Sequence, residues 1–253
     1  GLVQSSLVFG GAIDNSFITP SDLRAFQNSL KNFQRSISLT TRFNGTYRHI
    51  DIPQLNLASE AGDIHIAANG FVDGWQDPTP AWRLDLNQLL LSDAIIDFLH
   101  KNIDAIPDEL IRIGSLKVNG QFSGEHNGAM AVKGNIFTGI GDAVVNLHKQ
   151  GNNHFECTVT TTGLDLQQLT ADDHFGRIVA DLSLSGLLRS GGTPDVKVNG
   201  VVSQFDYNGY SFSNIDLNGT YSPQGYSGQL QIDDPNIQAS VEGELLADRK
   251  SVV

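Results

Sequence analysis

Again and again this chain sets a glycine midway between two apolar residues on alternate positions, as at Phe43-Gly45-Tyr47, Ala68-Gly70-Val72, Val118-Gly120-Phe122, Val132-Gly134-Ile136, Leu184-Gly186-Leu188, Val198-Gly200-Val202, Leu217-Gly219-Tyr221 and Val241-Gly243-Leu245. Alternate residues of a β-strand face the same side. The pattern therefore predicts strands whose oily stripe is interrupted by a missing side chain. Glycine weakens a strand interior, so its return needs a reason. One reason is mechanical, a bend or bulge in a long sheet. The other is functional, a notch that a partner strand or an acyl chain fills. The two are compatible, since a sheet bent toward its oily face is a trough.

The last third shows the rhythm most clearly. "DVKVNGVVSQFDY" reads as a strand, Asn208-Gly209 as a tight turn and "YSFSNIDLNGTY" as the return. "SPQG" turns again, "YSGQLQI" is the next strand, "DDPN" another turn and "IQASVEGELL" the last. Tyr226, Gly228, Leu230 and Ile232 share one face against Ser227, Gln229 and Gln231. Ile237, Ala239, Val241, Gly243 and Leu245 likewise oppose Gln238, Ser240, Glu242 and Glu244. Two segments have helical spacing instead. "TPSD" caps a run over about residues 20–36 carrying Leu23, Phe26, Leu30, Phe33 and Ile37. "LSDAIIDFLHKNI" predicts a helix over about 92–103, capped by Ser92 or Asp93, with Ile95, Ile96, Leu99 and Ile103 inward and Pro107 beyond its end.

The formal net charge of -12, with 16 Lys and Arg spread along 253 residues, argues against a nucleic-acid phosphate surface. It also disfavours electrostatic attachment to an anionic membrane. Cys157 is the single cysteine, so no internal disulfide forms. No apolar run approaches the ~18 to 20 residues of a spanning helix. "GLVQSSLVFGGA" has no basic leader, and the expectation is a segment of a longer protein.

Catalytic and metal chemistry find little support in the residues. His148, His154 and Cys157 lie close in sequence, but no second cluster completes a zinc site. Asp172-Asp173-His174 lacks a nucleophile motif, and a polar turn accounts for it. "IDDPN" at 232–236 lacks the spaced acidic loop of a calcium site. The glycosylation triplets at Asn44 and Asn218 fall inside proposed strands. Trp75 and Trp82 bracket "QDPTPA" and offer a sugar-stacking platform, the basis of an alternative reading as a secreted or cell-surface glycan-binding β-sandwich.

"IPDELIRIGSLKVNGQFSGEHNGAMAVKGNI", with "DVKVNGVVSQFDYNGYSFSNIDLNGTY" and "YSGQLQIDDPNIQASVEGEL", resembles the AsmA-like group, most closely the TamB translocation and assembly proteins of Gram-negative bacteria. "ITPSDLRAFQNSLKNF" and "WRLDLNQLLLSDAIIDFL" look like that family's internal modules. The resemblance implies an elongated periplasmic protein anchored in the inner membrane, with a long curled sheet of oily inner surface. It implies a part in outer-membrane protein assembly and phospholipid movement, and a TamA-like insertase barrel as partner of other parts of the full-length protein.

The expected fold is mainly β: a long curved antiparallel meander, an open trough or half-barrel, with two short helices. The expected division is a β-rich segment with its covering helices over 1–106, a continuing meander over 107–248 and a tail over 249–253. The expected function is non-enzymatic, without cofactor or metal: shielding acyl chains or barrel-protein strands, with phospholipid or an outer-membrane protein as client. The residues expected to line the groove are Val196, Val198, Val202, Leu217, Leu230, Ile232, Ile237, Val241 and Leu245. Gly200, Gly219, Gly228 and Gly243 would make room beside them.

Overall fold

A computed structural model describes residues 7–22, 32–103, 109–189 and 194–246. The chain forms two compact units, residues 1–140 and 141–253. In the first, β1 (Val8–Ile18), β2 (Ile37–Thr46), β3 (His49–Ser59), β4 (Ile64–Asp73), β5 (Ala81–Leu91), β6 (Leu116–Gly124) and β7 (Met130–Thr138) pair antiparallel in sequence order. In the second, β8 (Gly141–Lys149), β9 (His154–Asp165), β10 (Phe175–Leu187), β11 (Asp195–Tyr207), β12 (Tyr210–Ser222), β13 (Gly225–Asp233) and β14 (Gln238–Leu246) do the same. The mainly β antiparallel meander read from the alternation is the fold.

The hairpin turns follow local chemistry. Tyr207 pairs with Tyr210, and between them Asn208 and Gly209 take φ of 51° and 76°. Two successive positive φ values define the tight turn whose twist matches its strands, and Asn-Gly tolerates them best. At the β13–β14 turn the buried Asp234 carboxylate takes the Tyr210 hydroxyl, the Ser213 N–H at 3.0 Å and hydroxyl at 2.8 Å, and the Asn236 N–H at 3.0 Å. With Tyr210 the largest cause, these donors hold its pKa down to about 2. "IDDPN" is thus a turn tied to β12, its acceptors already engaged.

Helix α1 (Asp93–Asn102) starts where expected, with Ser92 accepting from the Ile95 N–H. Ile95 and Ile96 are buried. Ile95 joins Phe33, Ile37 and Ile64 in a core cluster that Leu57, Leu91, Phe98 and Leu99 complete. Of the first expected helix, Pro20, Ser21 and Asp22 are helical, with Asp22 accepting from the Thr19 N–H at 2.9 Å. Leu23, Phe26 and Leu30 lie outside the described residues, as does Pro107. That helix does not reach residue 36: Phe33 precedes β2 in irregular chain, and Ile37 is the first residue of β2. Period-two alternation over Ile37, Leu39, Thr41 and Phe43 wins there, because Ile37 gains strand partners on both sides, Ile18 and Ser59.

Two further short helices were not expected. Helix α2 spans Glu109–Arg112. Helix α3 spans Leu166–Thr170, with Asp165 as N-cap accepting from the Gln168 N–H at 3.0 Å and Ala171 in the left-handed region at its end.

Candidate functional site: an uncovered oily face

Strand register decides which side chains share a face. In the second unit it aligns the oily residues in rows crossing the strands. One row runs Val202, Ile215, Ile232, Ala239; the next runs Gly200, Leu217, Leu230, Val241. Val198, Gly219, Gly228 and Gly243 form a third, and Val196, Tyr221 and Tyr226 a fourth. Leu245 pairs with Tyr226 through its backbone, and its side chain lies outside the described residues. Ile237 stands before β14 at the turn, its N–H donating to the Asp234 carbonyl at 3.2 Å.

The rows continue past the residues singled out in the sequence. Leu182, Leu184 and Gly186 of β10 pair with Gly200, Val198 and Val196. Val159, Cys157 and Phe155 of β9 pair with the same three β10 positions, and Val145 and Leu147 of β8 pair with Val159 and Cys157. These positions carry the same alternation as β11 to β14 and were findable from it. His148 and His154 lie on opposite parity from Cys157, so the sheet separates them.

The oily face has no second layer over it among the described residues of this unit. Only Ala180, Val202 and Ile215 are buried there, packed by Ile178, Leu182, Phe205, Phe212, Leu230 and Ile232 at one end of the rows. Toward the other end the face opens. Val241 is 59% exposed and Tyr226 57%. A hollow of about 520 Å³ lies across β12, β13 and β14, lined by Val198, Leu217, Tyr221, Tyr226, Leu230 and Val241 around Gly219, Gly228 and Gly243. The three glycines form its floor, in register strand to strand. Leu217, Leu230 and Val241 make one wall. Tyr221 and Tyr226, stacked with ring centroids 4.7 Å apart, make the other. Both tyrosines extend the groove, and neither was among the residues chosen from sequence.

The notches are not all empty. A β-carbon at Gly243 would meet nothing within 4 Å, and one at Gly219 would stand at ordinary contact distance, 3.4 Å from the Ser227 carbonyl and 4.0 Å from the Gly228 α-carbon. One at Gly228 would stand 2.7 Å from the Asn218 carbonyl and 3.0 Å from the Gly219 α-carbon. At Gly200 it would run into the Asp181 carbonyl and lie 2.9 Å from the Leu182 side chain. So Gly219 and Gly243 leave open space, whereas Gly200 and Gly228 let neighbouring backbones approach. Gly45, Gly70, Gly120 and Gly186 are of the second kind, each facing a carbonyl oxygen of the next strand.

The first unit repeats the theme on a smaller scale. Ile52, Leu55, Ala68, Gly70, Val72, Trp82 and Leu84 line a hollow of about 180 Å³. Helix α1 covers one end of that face, over Ile37 and Ile64. The two tryptophans do different jobs. Trp82 pairs with Val72 and Gly124, and its indole occupies the space a Gly124 side chain would need. Trp75 is exposed in the β4–β5 loop and donates its indole N–H to the Tyr47 carbonyl at 2.9 Å. No ring contact joins them.

No helix among the described residues is long and apolar enough to cross a membrane, and no group of three or more His, Cys, Asp or Glu there could hold a metal ion. Set beside models of protein families, curated proteins and solved structures, the chain matches none of them.

Proposed function

We propose that this chain is a non-enzymatic segment of an AsmA-like, TamB-type envelope protein, and that its oily face shields an acyl chain, or a strand of an outer-membrane barrel protein, from water in the periplasm. The observation that carries the reading is the hollow over Gly219, Gly228 and Gly243, which lies on an apolar face with no second layer over it among the described residues of this unit. Sheets in water ordinarily bury their apolar face against another layer. A long uncovered one marks an interaction surface. Hiding apolar area is worth about 25 cal/mol per Å², so such a groove holds a hydrocarbon chain without a reactive group. The resemblance of the strand and glycine pattern to the TamB proteins supports a lipid or barrel-strand client and the periplasm.

Gly243→Leu is the cleanest test, because its side chain enters open space and leaves the backbone undisturbed. Native mass spectrometry of the chain purified from a Gram-negative host should show bound phospholipid for the wild type and a loss of at least about tenfold in the variant. That loss corresponds to about 1.4 kcal/mol of binding. Equal phospholipid in a folded Gly243→Leu protein, or none in the wild type, would overturn the acyl-chain reading.

A further inference from the structure

We propose that the opposite, polar face of the second unit binds a neutral polyhydroxylated chain, a glycan. This does not rest on the function proposed for the oily face. Three adjoining hollows open on the polar side. The first, about 590 Å³, is lined by Gln150, His154, Glu156, Ser185, Lys197 and Thr220. The second, about 390 Å³, shares Glu156 and Ser185 and adds Asn146, Thr158, Ser183 and Asn199. The third, about 250 Å³, shares Asn199 and continues to Asn218 and Gln229. Shared lining residues make them one trough crossing β8 to β13, about 24 Å at the usual strand spacing.

Its central row is in register: Asn146, Thr158, Ser183, Asn199, Asn218 and Gln229 are successive cross-strand partners. All six are neutral amides or hydroxyls, each able to donate and accept. None makes a side-chain hydrogen bond to another described residue. The first unit shows the contrast. There Asn119 and Asn135 are cross-strand partners too, and the Asn135 amide donates to the Asn119 side-chain oxygen at 2.7 Å. Asn199 and Asn218, paired in the same way, leave that capacity open.

The row suits sugar hydroxyls better than other partners. A nucleic-acid strand needs a basic groove, and among the described residues Lys197 is the only Lys or Arg lining the trough. A protein partner is anchored by Trp, Tyr or Arg, and the described residues lining the trough include none. With no broad aromatic platform, affinity rests on hydrogen bonds and stays weak, about 1 mM.

Cellohexaose, maltohexaose and chitohexaose, each titrated into the whole chain and followed by NMR, test this. At least one should saturate, shifting the side-chain amides of Asn199 and Asn218. Asn199→Leu and Ser183→Leu, both at exposed positions, should each weaken that binding at least about tenfold with unchanged urea midpoints, while Gly243→Leu binds as wild type. Failure of all three sugars to saturate would overturn the proposal. So would wild-type affinity in both folded Leu variants, or loss of binding in Gly243→Leu instead.

Discussion

A β-carbon added at Gly186 would collide with the carbonyl oxygen of Asp195, whereas one at Gly243 would meet nothing. Both glycines sit in the same apolar–x–Gly–x–apolar frame, so sequence marks them alike. What separates them is how closely the next strand approaches, which depends on local bend and twist that period-two alternation does not encode. The difference is measurable. Gly186→Ala and Gly200→Ala should each lower stability by about 1–3 kcal/mol, the usual penalty for forcing extra atoms into filled space. Gly243→Ala should be neutral or stabilising by up to about 1 kcal/mol, as the alanine reduces unfolded-chain entropy. Urea midpoints read both outcomes, and equal losses at Gly186 and Gly243 would remove the distinction between filled and open notches. Facing within each strand, by contrast, was legible residue by residue, though not which strand pairs with which. Val198, Leu217, Leu230 and Val241 were placed on one face by counting alternate positions, and the pairing places them there.

Among the elements, the hairpins β11–β12 and β13–β14 were the easiest to read because their turns have their own chemistry. Asn208-Gly209 supplies two positive φ values at the loop between Tyr207 and Tyr210. Gly209→Ala meets no steric neighbour within 4 Å, so it should cost only the left-handed backbone penalty, about 1–2 kcal/mol, again read from the urea midpoint. Asp234 offers a pH-dependent counterpart. Its folded pKa of about 2 lies below the ordinary carboxylate value of 3.8. The stabilisation is therefore fully present above about pH 4 and is lost as pH falls through about 2. Amide exchange at Ser213 and Asn236 should accelerate across that window. Asp234→Asn should exchange faster at neutral pH and show no such acid step; an unchanged acid step in the variant would assign it to another group. The helices were less legible. Helix α1 declared itself by its Ser92 cap and Ile95, Ile96, Leu99 spacing. Helix α3 is five residues long, too short for periodicity, and only Asp165 followed by "LQQL" announced it. The expected helix over 20–36 was drawn too long because Phe33 and Ile37 fit both a helical step and the start of a strand.

Over the whole chain, alternation specified which side of each strand is oily, but not what covers it. That depends on layers brought from elsewhere in the chain, and among the described residues only α1 and the stretch before β2 supply any, in the first unit. In the second unit the oily rows run from Val145 and Leu147 to Val241, and the polar rows stand behind them. The two proposals divide along that line, hydrocarbon on one side and sugar hydroxyls on the other. Because neighbouring residues of one strand face opposite sides, a contact map at single-residue resolution separates them. The most direct measurement is crosslinking with a phospholipid carrying a photoreactive group in its acyl chain, mapped by peptide mass spectrometry. Crosslinks are predicted at Val198, Leu217, Tyr226, Leu230 and Val241, and not at their neighbours Asn199, Asn218, Ser227, Gln229 and Glu242. Crosslinks spread equally over both sets, or confined to the polar set, would contradict the account.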